Sequence, residues 1–375
     1  MNNRALLIPT FKGHFTHIID LIKSMNTFIL DKECIDIVFI LSSPNEKIEF
    51  DELILPLKKG LNIHTYDIET ILSDCGKNYT SEQLLKDLGR VSYQTVKKLY
   101  PIHYLNYQQV LVFDSESIFL KKTNVNKMFD DYFKNPYIFY STNSEEEPNV
   151  ISIAPSTNNS AYERIFELYN TEPDNMWCFE AFHWFYDKNI IDEIFEYFNN
   201  NLLERMLEIG YRYEVEYEKV LFESFIYYLY IYKITKNNYR LINVRDEIKE
   251  NLGGGALFKA YYRLFRDVLK ADYLCFPIFL HWWECLRVRD MKKFCGIYKK
   301  YALTIGRIAL APLDDAIVYE YIKYSNLELA VSTTGIKSYI KLPYMNLIDK
   351  VILNIRFMGM WIRNNKIYKL RKKEK

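Results

Sequence analysis

The chain has few glycines, little net charge and no long apolar run, so several functional classes are not indicated. Its 375 residues include only 12 glycines, and its formal net charge is +1. A balanced charge gives no reason to expect binding to nucleic acid, and we expect none. No apolar run approaches the ~18 residues that span a bilayer, and the N-terminal stretch lacks the apolar core of a signal peptide. Neither a spanning helix nor a signal peptide is therefore expected.

The cysteines argue against a zinc site. There are six, widely scattered, and no two are spaced as C-x-x-C. Scattered free thiols suit a reducing compartment, so we expect a cytoplasmic protein. Apolar residues make up 49% of the chain, which predicts a globular protein of one large or two ordinary domains.

Apolar runs alternate with segments of helical spacing over the first 70 residues. Strands are predicted over Ala5–Pro9, Asp36–Ser43 and Leu61–Ile68, with helices over Phe15–Leu30 and Glu46–Lys59 between them. This order predicts an α/β fold with a mainly parallel central sheet flanked by helices. No G-x-G-x-x-G follows the first strand, which argues against a dinucleotide-binding domain.

The stretch Gln109–Leu120 reads QVLVFDSESIFL and is the main functional signal. Val110–Phe113 predicts a buried strand, and Asp114 and Glu116 follow at its carboxyl end, where open α/β sheets bind ligands. Two acids so close together call for a positive partner, and a hard divalent cation that also binds phosphate is the usual one. The pattern predicts a metal–diphosphate site; ordinary loop acids are the alternative.

This stretch resembles the acid-x-acid motif of GT-A glycosyltransferases, in which apolar residues precede Asp-x-Asp and an apolar pair follows. Here the motif is Asp114-Ser115-Glu116, with glutamate where aspartate is commoner. The resemblance implies a GT-A-like fold and a nucleotide-sugar donor. It also implies Mn²⁺ or Mg²⁺ held by Asp114 and Glu116, with Ser115 beside the donor.

A helix predicted over Ser81–Leu99, with Ser81 as its N-cap, precedes the motif. GT-A enzymes often use such a polar, basic helix to contact the nucleotide or its phosphates. The resemblance therefore implies that Arg90, Tyr93 and Lys97 bind the donor. A solvated basic helix face is the alternative.

A late histidine near the metal is another feature of GT-A enzymes. His281, flanked by Trp282 and Trp283, is the best match to it in this chain. The resemblance implies that His281 is a metal ligand, and a core histidine is the alternative.

Two acids are candidates for a catalytic base on the acceptor side. Glu180 lies among five aromatic residues, which could stack on sugar rings and raise the pKa of the acid. The alternative for this segment is an aromatic core helix. Glu223 lies in a helix predicted over Glu214–Tyr232 that loosely resembles a segment of some bacterial glycosyltransferases, and Glu218 is a further candidate there.

The resemblance also implies how the chain is divided, and a shift in composition marks its last part. We expect a GT-A-like catalytic domain over residues 1–290, with its donor side in 1–150 and its acceptor side in 151–290, and a helical region over 291–375. The last thirty residues combine apolar residues at helical spacing with a basic tail, as in interfacial helices attracted to anionic lipid. This predicts peripheral attachment to the cytoplasmic membrane face; a packed helix with a frayed tail is the alternative.

The resulting hypothesis is a bacterial-type glycosyltransferase that moves a sugar from a nucleotide-diphosphate donor to a hydroxyl of a glycan or lipid-linked glycan. The resemblance and the basic tail suggest capsule, lipopolysaccharide or another surface polysaccharide as the product. Whether the enzyme inverts or retains stays open. The alternatives are a nucleotidyltransferase, which would normally carry a Gly-rich basic loop after the first strand, and a non-catalytic scaffold of polysaccharide assembly.

Overall fold

The computed structural model describes residues 2–115, 117–119, 122–142, 155–172, 176–180, 184–215, 218–235, 239–243 and 304–305. These residues fall into two compact units. The larger takes in 2–15, 29–115 and 123–243, and the smaller takes in 16–28, 117–119, 122 and 304–305, each with the gaps just given. The predicted boundary at residue 290 and the helical region after it lie outside the described residues.

The strands of the described residues have the following bounds: β1 Arg4–Pro9, β2 Asp36–Leu41, β3 Asn62–Asp67, β4 Gln109–Val112, β5 Ile118–Phe119, β6 Tyr137–Thr142, β7 Met176–Glu180, β8 Phe185–Asp187, β9 Arg240–Asn243 and β10 Thr304–Ile305. The α-helices have these bounds: α1 Phe15–Phe28, α2 Pro44–Ile54, α3 Ile68–Asp74, α4 Ser81–Tyr104, α5 Val125–Lys134, α6 Pro155–Tyr169, α7 Lys188–Tyr197, α8 Leu202–Arg212 and α9 Glu223–Leu229.

The central sheet of the larger unit has the strand order β3-β2-β1-β4-β8. Strands β1 to β4 are parallel to one another, and β8 runs antiparallel to β4 at the edge. Every residue of β2 is buried, as expected for a strand covered on both faces. The prediction of an α/β fold with a mainly parallel central sheet flanked by helices is confirmed.

The strand order reverses between β1 and β4. The chain builds outward from β1 to β2 and β3, and then returns to place β4 on the other side of β1. The crevice at the carboxyl ends of such a strand pair is where open α/β sheets bind their ligands. We call this side of the sheet the carboxyl edge and the opposite side the amino edge.

A second sheet of the larger unit has the order β7-β6-β9, with β7 antiparallel and β9 parallel to β6. In the smaller unit, β5 pairs antiparallel with β10. There the Phe119 amide donates to Ser24 Oγ of α1 over 3.0 Å. Among the described residues, no helix combines the length and apolar character that crossing a bilayer requires.

Helix α4 differs from its prediction at both ends. Its N-cap is Thr80 rather than Ser81: the Thr80 hydroxyl accepts from the Gln83 amide at 3.2 Å, and the Gln83 side chain accepts from the Thr80 amide at 3.0 Å. This reciprocal capping box explains the start. The helix also runs past Leu99 and through Pro101 to Tyr104.

The helix predicted over Glu214–Tyr232 is wrong in its first half, since α9 begins at Glu223 and passes into a π-helix over Tyr230–Thr235. Helix α4 supplies the reason. Ser92 Oγ donates to the Lys219 carbonyl and accepts from the Leu221 amide, both at 2.9 Å. Thr95 Oγ1 donates to the Leu221 carbonyl at 2.5 Å. Side chains of α4 therefore take the backbone groups that a helix would have paired.

Gly89 places a kink inside α4, and we expect Gly89→Ala to destabilise the protein. Its backbone angles, φ 77° and ψ 167°, lie in a region that only glycine adopts readily. We expect the free energy of unfolding to fall by about 1–3 kcal/mol, read from urea denaturation. Lys86→Ala, at an exposed position of the same helix, is the control and should stay near wild type. Equal stability of the two variants would contradict the strain.

Candidate functional site

The acid-x-acid motif lies at the carboxyl edge, where the strand order reverses. The Phe113 amide donates to the Leu7 carbonyl at 2.9 Å, so pairing with β1 continues up to the residue before Asp114. Opposite it is the loop that follows β1. His14 Nδ1 of that loop lies 2.6 Å from the hydroxyl of buried Ser115, which ties the motif to the loop. His14 was not singled out from the sequence.

A buried charge cluster lies directly behind the motif. We call it the Lys98 cluster; its members are Thr95, Lys98, Asp114, Trp184 and Glu223. The Lys98 ammonium lies 2.6 Å from Glu223 Oε1 and 3.9 Å from Asp114 Oδ1. It also lies 4.6 Å from the centroid of the Trp184 ring. One ammonium thus faces two carboxylates, which leaves the cluster negative when both acids are ionised.

The two acids of the cluster differ in exposure and in hydrogen bonding. Glu223 Oε1 accepts from Lys98 at 2.6 Å, whereas Oε2 lies 3.2 Å from the Thr95 hydroxyl, whose single proton goes to the Leu221 carbonyl at 2.5 Å. The Glu223 side chain is 4% exposed and that of Asp114 is 20% exposed. Lys98 therefore belongs mainly to Glu223, and Asp114 is the acid that a ligand can reach.

Burial decides the protonation of Asp114. Desolvation raises the pKa of this carboxyl above its usual range; Lys98 opposes the shift and Glu223 adds to it. A cation would compete with a proton for the Asp114 carboxylate and, when bound, would neutralise its charge in the proton's place. Metal binding there should weaken at a higher pH than at an ordinary aspartate, since protons compete for the same oxygens.

Lys97 and Tyr93 lie at a neighbouring part of the carboxyl edge, where both side chains are buried. The Lys97 ammonium donates to the Thr10 carbonyl and, over 3.3 Å, to Ser42 Oγ, at the ends of β1 and β2. It lies 5.6 Å from the centroid of the Tyr93 ring. Lys97 is only 3% exposed, so a solvated basic helix face is wrong at this position, whereas Arg90 is exposed.

The structure thus brings some of the proposed site residues together. Asp114, Ser115 and Glu223 lie at one place, and Lys98 joins them in place of its neighbour Lys97. Two adjacent helical residues point about 100° apart, so the sequence could not tell which lysine faces the motif.

The geometry of the described residues does not test the roles predicted for three other candidates. Glu116 and His281 lie outside the described residues. Glu180 ends β7, where its backbone pairs with Phe139 of β6. The alternative of an aromatic core helix is wrong for Met176–Glu180, which forms a strand.

The donor set fits a metal that also binds phosphate. The described part of the chain has no group of three or more His, Cys, Asp or Glu side chains that could enclose a cation. Mg²⁺ is often held by only one or two carboxylates and takes its other ligands from substrate phosphates and water. An accessible Asp114 matches that mode, with Glu116 as the second acid of the motif.

Comparisons with known proteins give no family. No family model matches the chain, and no curated protein matches it. Solved structures that match include the galactosyltransferase LgtC in complex with donor and acceptor sugar analogs, at 11% identity and a TM-score of 0.42, over 89% of this chain and 99% of that one.

Two further matches are also glycosyltransferases by name. Mouse xyloside xylosyltransferase 1, apo form, aligns at 9% identity and a TM-score of 0.38, over 64% of this chain and 84% of that one. Core-mannan synthase A from Aspergillus fumigatus, Mn/GDP form, aligns at 12% identity and 0.30, over 53% of this chain and 64% of that one. Because these TM-scores are below 0.5, we base the functional conclusion on the chain's own residues.

Burial of Lys97 predicts a pH-dependent stability. Desolvation lowers the pKa of Lys97 to about 7, and the nearby Glu46 carboxylate opposes this shift, whereas a lysine in the unfolded chain has its usual pKa of 10.5. Between these values the unfolded state binds more protons, so Lys97 makes stability rise with pH from about 7 to 10.5, by at most about 1.4 kcal/mol per pH unit. In urea denaturation across this range, Lys97→Met should remove that rise. Parallel profiles for the two proteins would contradict it.

The Lys98–Glu223 pair predicts strong coupling between two substitutions. Lys98→Met leaves a buried carboxylate unpaired and should destabilise the protein by about 3–5 kcal/mol. Adding Glu223→Gln should recover part of that loss, because the uncompensated charge is gone. A double-mutant cycle in urea at neutral pH measures the coupling. Additive effects would mean that the two groups do not interact in solution.

Proposed function

We propose that the chain is a metal-dependent glycosyltransferase that moves a sugar from a nucleotide-diphosphate donor to a hydroxyl of a glycan or lipid-linked glycan. The observation that carries this proposal is the position of Asp114. It follows the carboxyl end of β4, at the reversal of strand order, and shares one ammonium with a second buried acid.

The electrostatics support a cation and a phosphate at this place. When both acids are ionised, the Lys98 cluster carries one excess negative charge in a largely buried environment. This charge favours binding of a divalent cation and disfavours binding of an anion without one. Such a cation, Mn²⁺ or Mg²⁺, neutralises charge on a leaving diphosphate. Asp114, together with Glu116 of the same motif, would hold it, while Ser115 and the β1 loop line the diphosphate side.

Glu223 fits a positioning role better than that of a base. Its Oε1 accepts from the Lys98 ammonium at 2.6 Å, and its side chain is only 4% exposed, so an acceptor hydroxyl has little access to it. The Glu223 carboxylate holds the Lys98 ammonium in front of Asp114. In this role Glu223 would set the position of a positive charge beside the bound donor. If the reaction inverts, Glu180 is then the preferred base; if it retains, no separate base is required.

The alternatives explain these observations less well. A scaffold gives no reason to bury two acids around one ammonium, an arrangement that costs desolvation energy and gains little stability. A nucleotidyltransferase would need basic groups in the loop after β1, where the ammonium of Lys12 instead pairs with Glu49 at 2.6 Å. A lipid-linked acceptor and a role in surface polysaccharide synthesis remain part of the proposal and rest on the basic C-terminal sequence.

Asp114→Asn tests the proposal directly. We expect wild-type protein with Mn²⁺ and one of UDP, GDP or CDP to show a thermal shift that EDTA removes. Ligand at a hundred times its Kd stabilises the native state by about 2.7 kcal/mol. Asp114→Asn should abolish the shift and the turnover of the corresponding nucleotide sugar.

The control is Asp131→Asn, which removes an exposed carboxylate that pairs with Lys127 on α5. It should bind nucleotide and turn over donor like the wild type. A thermal shift that persists in the Asp114→Asn variant would mean that the metal does not bind at the acid-x-acid motif. A folded wild-type protein that responds to none of the three nucleotides would favour the scaffold.

A further inference from the structure

A polar cavity opens at the amino edge of the central sheet, away from the motif. Its volume is about 520 Å³, within the usual range of small-molecule sites. Asp114 lies five residues beyond the start of β4, so about 17 Å of strand separates the cavity from the motif. The lining residues are Asn2, Asn3, Arg4, Cys34, Gln108, Gln109 and Asn126.

The cavity presents no uncompensated charge. Arg4, its one cation, forms an ion pair with Asp130 at 2.5 Å. Arg4 Nε donates to Gln109 Oε1 at 2.8 Å, and Nη1 donates to the Asn126 carbonyl and Oδ1 at 3.1 and 3.2 Å. With the Asp130 bond, these contacts occupy four of the five N–H groups of the guanidinium. A phosphate or carboxylate would therefore find little to bind, and the site suits a neutral ligand.

The same contacts fix the orientation of two amides. Because Gln109 Oε1 accepts from Arg4, the Gln109 amide keeps its N–H groups for donation. Asn126 is held further, since its Nδ2 donates to Asp31 at 2.9 Å. Part of the lining is thus preorganised, which lowers the cost of binding.

Two further amides, those of Asn3 and Gln108, line the cavity from exposed positions. Asn3 and Gln108 pair through the backbone, the Gln108 amide donating to the Asn3 carbonyl at 2.8 Å. Their side-chain amides make no hydrogen bond to another described residue. Each offers both donors and an acceptor. A neutral surface of paired donors and acceptors matches sugar hydroxyls, which also donate and accept.

We propose that this cavity is a second carbohydrate site that binds a neutral oligosaccharide segment of the acceptor; its role in catalysis rests on the function proposed above. A glycan held there stays at high effective concentration near the enzyme between transfers. Among the described residues no aromatic ring lines the cavity, so we expect their affinity to come from hydrogen bonds and the binding to be weak.

Cys34 provides a reporter, because its exposed thiol lines the cavity. The full-length protein is treated with iodoacetamide, with and without millimolar linear pentaoses of glucose, galactose, mannose or N-acetylglucosamine. Peptide mass spectrometry follows alkylation of each cysteine. We expect at least one pentaose to slow alkylation of Cys34 several-fold and to leave Cys75, which lies outside the cavity, unchanged.

The double variant Asn3→Ala/Gln108→Ala should lose that protection, while Asn78→Ala, which removes an exposed amide elsewhere, should keep it. Both change exposed side chains, and equal thermal midpoints check folding. Protection by no pentaose, or equal protection in the double variant, would overturn the site.

Asp114→Asn separates this proposal from the proposed function. Protection of Cys34 should persist in that variant, since the donor site is remote from the cavity. Protection without any nucleotide response would leave a carbohydrate-binding protein and remove the transferase. A nucleotide response without protection would leave the transferase and remove the second site.

Discussion

The ammonium of Lys98 is the interaction on which the candidate site depends. It comes from α4, contacts Glu223 at the start of α9 and faces Asp114 after β4, so it joins α9 to two elements more than 100 positions earlier in the chain. Neighbouring residues of α4 also hold the segment that carries Glu223. Thr95 and Ser92, on the same helix, hold the chain that leads into α9 through hydrogen bonds to Lys219 and Leu221. The charge and its scaffold are therefore set by one helix.

Strand order gives that charge its place. Because β1 and β4 are adjacent and parallel, the segments that follow them lie at the same carboxyl edge. Asp114 follows β4 and His14 follows β1, and the contact of His14 with Ser115 joins the two segments. The opposite end of the same strands carries amides and a compensated arginine. One sheet thus has a charged carboxyl edge, where we propose the metal and the diphosphate, and a neutral amino edge, where we propose the second carbohydrate site.

Sequence reasoning worked best where a periodic pattern is fully buried. The runs at β1, β2 and β4 are apolar enough to be read as strands, and the polar residues that end them are visible directly. It failed where a side chain competes with the backbone. The residues before Glu223 have helical composition, yet hydroxyls of α4 take their backbone groups. Similarly, the reciprocal hydrogen bonds with Gln83 make Thr80, and not Ser81, the N-cap of α4.

The sequence by itself determined the parallel α/β plan and the place of Asp114 and Ser115 at a strand end, because local burial pattern and turn residues suffice for both. Only the tertiary structure decided that Lys98, and not Lys97, faces the acids. Adjacent helical residues differ by about 100° in direction, and the packing of α4 against the sheet and α9 fixes which of the two buried lysines points toward Asp114 and Glu223. It also decided that Glu223 pairs with Lys98 and that a neutral cavity forms at the amino edge, since those contacts join residues more than 100 positions apart.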